Sequence, residues 1–102
     1  MNMEYKYTVD FKDVRYYTDI HDAIKRGLDF PEYYGTNLDA MWDCLTDTVL
    51  SGNCEITFLN FDRVEKINKE YAEKIECVLK RLVSLYHGKN GKTVKVFIRK
   101  NN

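Results

Sequence analysis

The chain has 102 residues, of which 44% are hydrophobic and 31% are charged, and its formal net charge is zero. This length allows one domain with a single core, and this apolar content excludes a disordered chain. There is no run of about eighteen apolar residues, and residues 1–10 lack the apolar segment of a signal peptide, so we expect a cytoplasmic protein that does not span a membrane.

The cysteines and histidines argue against a disulfide framework and against a metal centre. Cys44, Cys54 and Cys77 are an odd number without close spacing, which fits free thiols in a reducing compartment. His21 and His87 lie far apart, and neither has a Cys or Asp at the spacing of zinc ligands. We therefore expect no metal and no other cofactor.

The charges are distributed unevenly along the chain. Residues 28–62 contain seven acidic residues and no Lys or Arg, whereas residues 63–102 contain eleven basic and four acidic residues. A field separated in this way can steer an oppositely charged partner although the net charge is zero. The charge pattern therefore favours a protein that binds a charged partner.

The first third of the chain is predicted to form a strand and then a helix. Apolar and polar residues alternate over 5–11, as in a strand with one buried face. Apolar residues then recur at helical spacing over 20–28, and Thr18 is the expected N-cap of this helix. Gly27 and Pro31 predict its end.

A second helix is predicted after the loop at 34–35, where Thr36 or Asn37 can act as the N-cap. Five apolar residues recur at helical spacing and are expected to face the core: Leu38, Met41, Trp42, Leu45 and Val49. Residues 51–53 then predict a turn, and residues 54–59 a second strand.

Two helices and a third strand complete the predicted order. Asp62 and Glu65 are typical of a capping box that opens a short helix, and a longer helix covers about residues 71–86. Residues 93–99 predict the third strand. Because helices separate the strands, we expect parallel pairing through right-handed crossovers. The sequence therefore predicts one α/β domain over residues 1–102, a three-stranded parallel sheet packed with helices.

The second predicted helix carries an unusual row of acidic residues. Asp39, Asp43 and Asp47 follow at four-residue spacing, so they share one side of the helix and repel one another, at a few tenths of a kcal/mol per adjacent pair. The C-terminal end of a helix also disfavours anions. Trp42 and Thr46 fall between this acidic row and the buried stripe. Such a row indicates a surface for a cationic partner.

Fourteen residues in this part of the chain match the pattern of a known family: Pro31, Glu32, Tyr33, Tyr34, Gly35, Asn37, Leu38, Asp39, Ala40, Trp42, Asp43, Cys44, Leu45 and Thr46. In these residues the chain resembles the barstar family of intracellular ribonuclease inhibitors. The resemblance implies the barstar fold. It also implies an inhibitor, often called an immunity protein, with no catalytic residues of its own.

The resemblance further implies a role for individual residues. In the barstar family, the residue that corresponds to Asp43 enters the ribonuclease active site and meets the cationic groups that normally hold RNA phosphate. The match to Asp39 pairs with a further basic residue, and the match to Tyr33 packs on the catalytic histidine. The expected partner is a basic, barnase-type ribonuclease, and no direct binding of nucleic acid, membrane or metal is expected. The predicted partner-binding residues are Tyr33, Tyr34, Gly35, Asn37, Leu38, Asp39, Trp42, Asp43, Thr46 and Asp47.

Three positions depart from the family pattern. Thr48 stands where the family has a second contact tryptophan, and Ser84 lies near the place of a glutamate on its long helix. Asp47 stands where the best-known member of the family has a glycine, and it adds a negative charge. These departures bear on which ribonuclease is bound more than on how it is bound.

The residues leave alternatives open. Asp39 lies three residues after Thr36 and could serve only to cap the helix. A domain of the same fold could bind some other basic protein. The basic residues of 63–102 could bind RNA, although they are spread over several elements and interrupted by acidic residues. A strongly salt-dependent affinity for RNA would distinguish that function from an inhibitor.

Overall fold

A computed structural model describes residues 4–100 of the chain. The elements in chain order are β1 (Glu4–Asp10), α1 (Tyr17–Gly27), α2 (Leu38–Leu50), β2 (Asn53–Leu59), α3 (Asp62–Ile67), α4 (Lys69–Tyr86) and β3 (Val94–Ile98). A short 3₁₀ turn, Lys89–Gly91, joins α4 to β3.

The three strands form one parallel sheet in the order β1-β2-β3. In the central strand, Ile56 lies opposite Tyr7 of β1 and Val96 of β3. Each connection between neighbouring strands contains two helices. The predicted fold class, a small α/β domain with a three-stranded parallel sheet packed with helices, is confirmed.

The core lies between the sheet and the helices, and α2 contributes the apolar stripe that its spacing predicts. Met41, Leu45 and Val49 are fully buried. Leu38 and Trp42 are half-buried and pack at the margin of the core. The other side of α2 is therefore turned to solvent.

The start of α1 differs from the prediction. The helix begins at Tyr17, so Thr18 lies inside its first turn and is not the N-cap. The Asp19 carboxylate instead accepts hydrogen bonds from the backbone N–H groups of Arg15 and Tyr16, each at 3.0 Å. These hydrogen bonds lower the pKa of Asp19, and the one from Arg15 has the larger effect. A carboxylate satisfies free N–H groups at a helix start better than a hydroxyl does, because it also interacts favourably with the helix dipole.

The predicted capping box at α3 is also wrong. The helix begins at Asp62 after Phe61, and no side chain caps it. The Glu65 carboxylate turns away and accepts a hydrogen bond from Lys100 Nζ at 2.8 Å. Asn68 caps the next helix through its side-chain oxygen, so α4 begins two residues earlier than expected.

Gly27 is required where α1 approaches β1 most closely. A Cβ at this position would lie 2.7 Å from the carbonyl oxygen of Thr8 and 2.7 Å from Cγ2 of Val9. A Gly to Ala change within a helix ordinarily stabilises it by about 0.5–1 kcal/mol. Here the overlap should reverse the sign, and Gly27→Ala is expected to lower the free energy of unfolding in urea by about 1–3 kcal/mol. A variant as stable as the parent would disprove this close approach.

Candidate functional site

The acidic row lies on the exposed side of α2. Asp39, Asp43 and Asp47 are all exposed. Within residues 4–100, no Lys, Arg or His side chain comes within 4.0 Å of any of these three carboxylates. Within this range, no ion pair offsets the mutual repulsion of the row. A partner with cationic groups would relieve it.

The N-cap of α2 is Asn37, which answers the question left open by the sequence. Its Oδ1 accepts a hydrogen bond from the backbone N–H of Ala40 at 2.8 Å. Its amide group also donates to the carbonyl oxygen of Gly35 at 3.2 Å. Because Asn37 and not Thr36 caps the helix, Asp39 does not form a capping box and is not needed for one.

The backbone just before this cap is strained. Thr36 has a φ of +49°, a left-handed conformation that a β-branched residue rarely adopts. At the preceding Gly35, a Cβ would lie 3.2 Å from the Cβ of Ala40, so the loop passes close to the first turn of α2. Strained backbone of this kind is found at functional sites more often than elsewhere.

The two tyrosines of the loop face opposite ways. Tyr33 is 83% exposed. Tyr34 is only 6% exposed, its ring packs on Phe30, and its hydroxyl lies 2.6 Å from Nδ1 of His21. Tyr33 and Asp47 line the same cleft, so the structure brings Tyr33 to the surface of the acidic row. It places Tyr34, which was also predicted to bind the partner, in the core beneath that surface.

His21 is a buried polar residue of α1 that connects this helix to the loop and to α4. Its Nδ1 meets the hydroxyl of Tyr34, and its Nε2 meets the hydroxyl of Tyr71 on α4. Burial lowers the pKa of His21 and raises the pKa of both hydroxyls. The ring is therefore neutral, with one nitrogen donating a hydrogen bond and the other accepting one. No local sequence pattern indicates this network, because its members lie 13 and 50 positions apart.

The neutral His21 makes stability depend on pH. Its pKa lies below 6.5 in the folded protein and near 6.5 in the unfolded chain. As the pH falls below 6.5, the unfolded chain binds a proton before the native state does, so stability is expected to decrease in that window. Asp10 and Asp19 have lowered pKa values, so their contributions are lost only in more acidic solution.

This pH dependence can be measured as the free energy of unfolding in urea between pH 5 and pH 8. The parent should become less stable from pH 6.5 downward, and His21→Gln should show a flatter profile because it removes the titrating ring. Equal slopes for the two proteins would exclude His21 as the cause.

Trp42 lies at the margin of the core, as its place in the helix predicted, and it contacts α4 there. Its ring centre lies 6.4 Å from that of Tyr86, and the guanidinium carbon of Arg81 lies 4.8 Å from the ring centre. One turn further along α2, the Thr46 hydroxyl donates to the backbone carbonyl oxygen of Asp43 at 2.8 Å. The exposed surface thus continues from α2 onto α4.

A cleft separates the loop from the C-terminal half of α2. It has a volume of about 290 Å³, and its walls include Tyr33, Cys44, Asp47 and Thr48. Burial raises the pKa of the Cys44 thiol, and the nearby Asp47 adds to this effect, so the thiolate form is disfavoured at neutral pH. The cleft therefore offers shape and negative charge to a partner side chain rather than covalent chemistry.

The C-terminal end of α2 is stabilised from a distance. The helix has no basic residue in its last turn. Lys92, which precedes β3, donates from Nζ to the carbonyl oxygen of Leu50 at 2.6 Å. A cation at this end of a helix satisfies a free carbonyl and interacts favourably with the dipole. Lys92 thereby offsets part of the unfavourable placement of Asp47, and no local sequence pattern indicates this contact.

Other kinds of site find little support in the described part of the chain. Across residues 4–100, no three His, Cys, Asp or Glu side chains come together as they would around a metal ion. The helices in this range are each too short or too polar to cross a bilayer. Cys44, Cys54 and Cys77 are free thiols, as predicted. Burial raises the pKa of Cys54 to about 11.

Comparison with known proteins gives two findings. The family model described as Barstar (barnase inhibitor) matches residues 5–99. A Bacillus subtilis (strain 168) protein named "Putative ribonuclease inhibitor YrdF" is 52% identical over 44 residues, which cover 43% of this chain and 48% of that relative. This alignment thus spans about half the length of the relative. Because the family model covers almost the whole sequence, the chain belongs to the barstar family.

Proposed function

We propose that this protein inhibits a basic, barnase-type ribonuclease by placing the acidic row in its cationic active site. The observation that carries the proposal is the row itself, three exposed carboxylates on a capped helix without a cation to pair with in residues 4–100. Membership of the barstar family and the name of the Bacillus subtilis relative support the inhibition of a ribonuclease.

The chemistry of ribonucleases explains why carboxylates would suit this task. An enzyme that cleaves a phosphodiester presents Lys, Arg and His side chains to the phosphate. Carboxylates held on a rigid helix can take the place of that phosphate and form charge-assisted hydrogen bonds. Asp43 is the central group, because it lies one helical turn from both Asp39 and Asp47, which are also exposed.

The surrounding residues would complete the contact. Exposed Tyr33 offers an aromatic ring for packing on a partner side chain, and such rings are frequent anchors of protein interfaces. Tyr34 would act from below by holding the loop in place. The other members of the proposed surface are Gly35, Asn37, Leu38, Trp42, Thr46 and Asp47.

We further infer that the protein is not itself an enzyme and that it acts in the cytoplasm as an immunity protein. The three free cysteines fit a reducing compartment. Its partner would be a protein alone, without nucleic acid, membrane or metal in the complex.

The test is a titration of the purified protein into the activity assay of a barnase-type ribonuclease. We expect inhibition to be complete at one inhibitor per enzyme, with an association rate that falls as salt is added because the attraction is electrostatic. A folded protein that leaves the enzyme active at a large excess would refute the proposal for this enzyme.

The RNA-binding alternative has less support. Lys66, Lys74 and Lys100 each lie between 2.8 and 3.8 Å from a carboxylate, so part of the basic surface is already neutralised. We expect no tight, salt-dependent binding of single-stranded RNA in a filter-binding assay. A different basic protein as partner would use the same acidic row, and only the identity of the target would change.

A further inference from the structure

A second row of charge, opposite in sign, runs along the border of α2 and α4. The guanidinium carbon of Arg81 lies 4.8 Å from the ring centre of Trp42. That ring lies 6.4 Å from the ring of Tyr86, and Nζ of Lys89 lies 5.9 Å from the Tyr86 ring centre. We call these four residues, in the order Arg81, Trp42, Tyr86 and Lys89, the cationic stripe.

The two cations of the stripe are held by the rings and not by carboxylates. Both Arg81 and Lys89 are exposed, and in the described range of 4–100 neither has an Asp or Glu oxygen within 4.0 Å. A cation above an aromatic ring is attracted by the negative face of the ring. This attraction favours their positions, and it leaves their positive charges unneutralised.

The stripe borders the acidic row directly. Trp42 is the residue before Asp43 and lies three residues after Asp39, so its ring stands on the flank of the row that faces α4. Arg81 stacks on this ring but does not reach either aspartate within 4.0 Å. A partner that covers the acidic row therefore also meets a positive edge beside it.

We propose that the cationic stripe selects among ribonucleases, favouring an enzyme whose cationic active site is bordered on one side by Asp or Glu. This inference rests on the proposed function. A ribonuclease with a rim that is cationic all round would match the acidic row but be repelled at Arg81 and Lys89. Like charges brought together at an interface disfavour the wrong partner, and opposite charges speed association with the right one.

Arg81 has a matched control on the same helix. Lys80 is also exposed, but it lines a groove on the other flank of α4 with Val83, Val96 and Ile98. It therefore faces β3 and not Trp42. Lys80→Glu changes the net charge by the same amount as Arg81→Glu, so a comparison of the two variants separates a local effect from a general one.

The test is a set of double-mutant cycles with a barnase-type ribonuclease in which each Lys or Arg on the rim of the active site is changed singly to Glu. Kd and the association rate are measured against the parent, Arg81→Glu and Lys80→Glu. For at least one rim variant of the enzyme, the Kd for the parent inhibitor should be lower than that of the unmodified enzyme by a factor of about five or more. That gain should be lost against Arg81→Glu and kept against Lys80→Glu.

The outcomes separate this inference from the proposed function. One outcome is that each rim variant of the enzyme changes Kd by the same factor for the parent, for Arg81→Glu and for Lys80→Glu. In that case the stripe does not select the partner, although the acidic row still inhibits. If neither the parent nor Arg81→Glu binds any of the enzymes, the proposed function fails, and the inference fails with it. Because Arg81 stacks on Trp42, the tryptophan fluorescence changes with the substitution itself, so urea unfolding followed by far-UV circular dichroism checks that each variant is folded.

Discussion

Asp43→Ala is expected to weaken the inhibition of a barnase-type ribonuclease by at least about two orders of magnitude, which corresponds to roughly 2.7 kcal/mol. In the proposed complex this carboxylate faces the cations of the active site. Its removal leaves those cations buried and unpaired, and such a loss costs about 2–5 kcal/mol. The effect should lie mainly in faster dissociation of the complex.

The fold should tolerate this change. The Asp43 carboxylate is exposed and has no polar partner of its own in residues 4–100. Its removal also relieves repulsion from Asp39 and Asp47, so we expect a melting temperature equal to that of the parent or slightly higher. A loss of inhibition without a loss of stability would therefore place the effect at the interface.

Glu73→Ala is the matched control for Asp43→Ala. Glu73 is an exposed acidic residue of a helix, α4, and has no salt bridge in the described part of the chain. The Glu73→Ala variant should inhibit within a few fold of the parent, because Glu73 is not part of the acidic row and exposed charges are screened at physiological salt. Equal losses in the two variants would mean that net charge matters and the position does not. If Asp43→Ala inhibits the ribonuclease within tenfold of the parent, Asp43 is not the central residue of the site.

The order and type of the elements could be predicted because apolar periodicity reports directly on which face is buried. Met41, Leu45 and Val49 show this for α2, since all three lie in the core as their spacing requires. The caps at Thr18 and Asp62 were predicted wrongly because they depend on competition between neighbouring polar groups. At α3 the competitor is Lys100, which draws the carboxylate of Glu65 away from the helix start across 35 residues of sequence.

The candidate site divides in the same way. The acidic row follows from the spacing within one helix. In contrast, the loop has no periodicity, so nothing local indicates that Tyr33 is exposed while Tyr34 is buried. The partners that decide this, and the contacts of Arg81 with Trp42 and of Lys92 with α2, come from distant parts of the chain. Only tertiary packing brings them together.

His21→Leu is expected to cause a large loss of stability. Leu keeps the apolar volume of the position but provides no partner for the hydroxyls of Tyr34 and Tyr71, and Tyr34 is too deeply buried for its hydroxyl to reach bulk water readily. A buried polar group left without a partner costs about 1–3 kcal/mol, and the second lost bond adds to this. We expect a decrease of about 2–4 kcal/mol in urea unfolding, and a fall in melting temperature on the order of 10–20 °C.

The double variant His21→Leu/Tyr34→Phe separates an unpaired hydroxyl from simple loss of packing. With both polar groups replaced by apolar ones, no hydroxyl of the loop is left unsatisfied, so the double variant should be more stable than His21→Leu alone. If the double variant is instead less stable, packing of the ring and not its hydrogen bond supports the loop. Since Tyr34 adjoins both Tyr33 and Gly35, loosening it should also weaken inhibition, and the double variant should recover part of both losses.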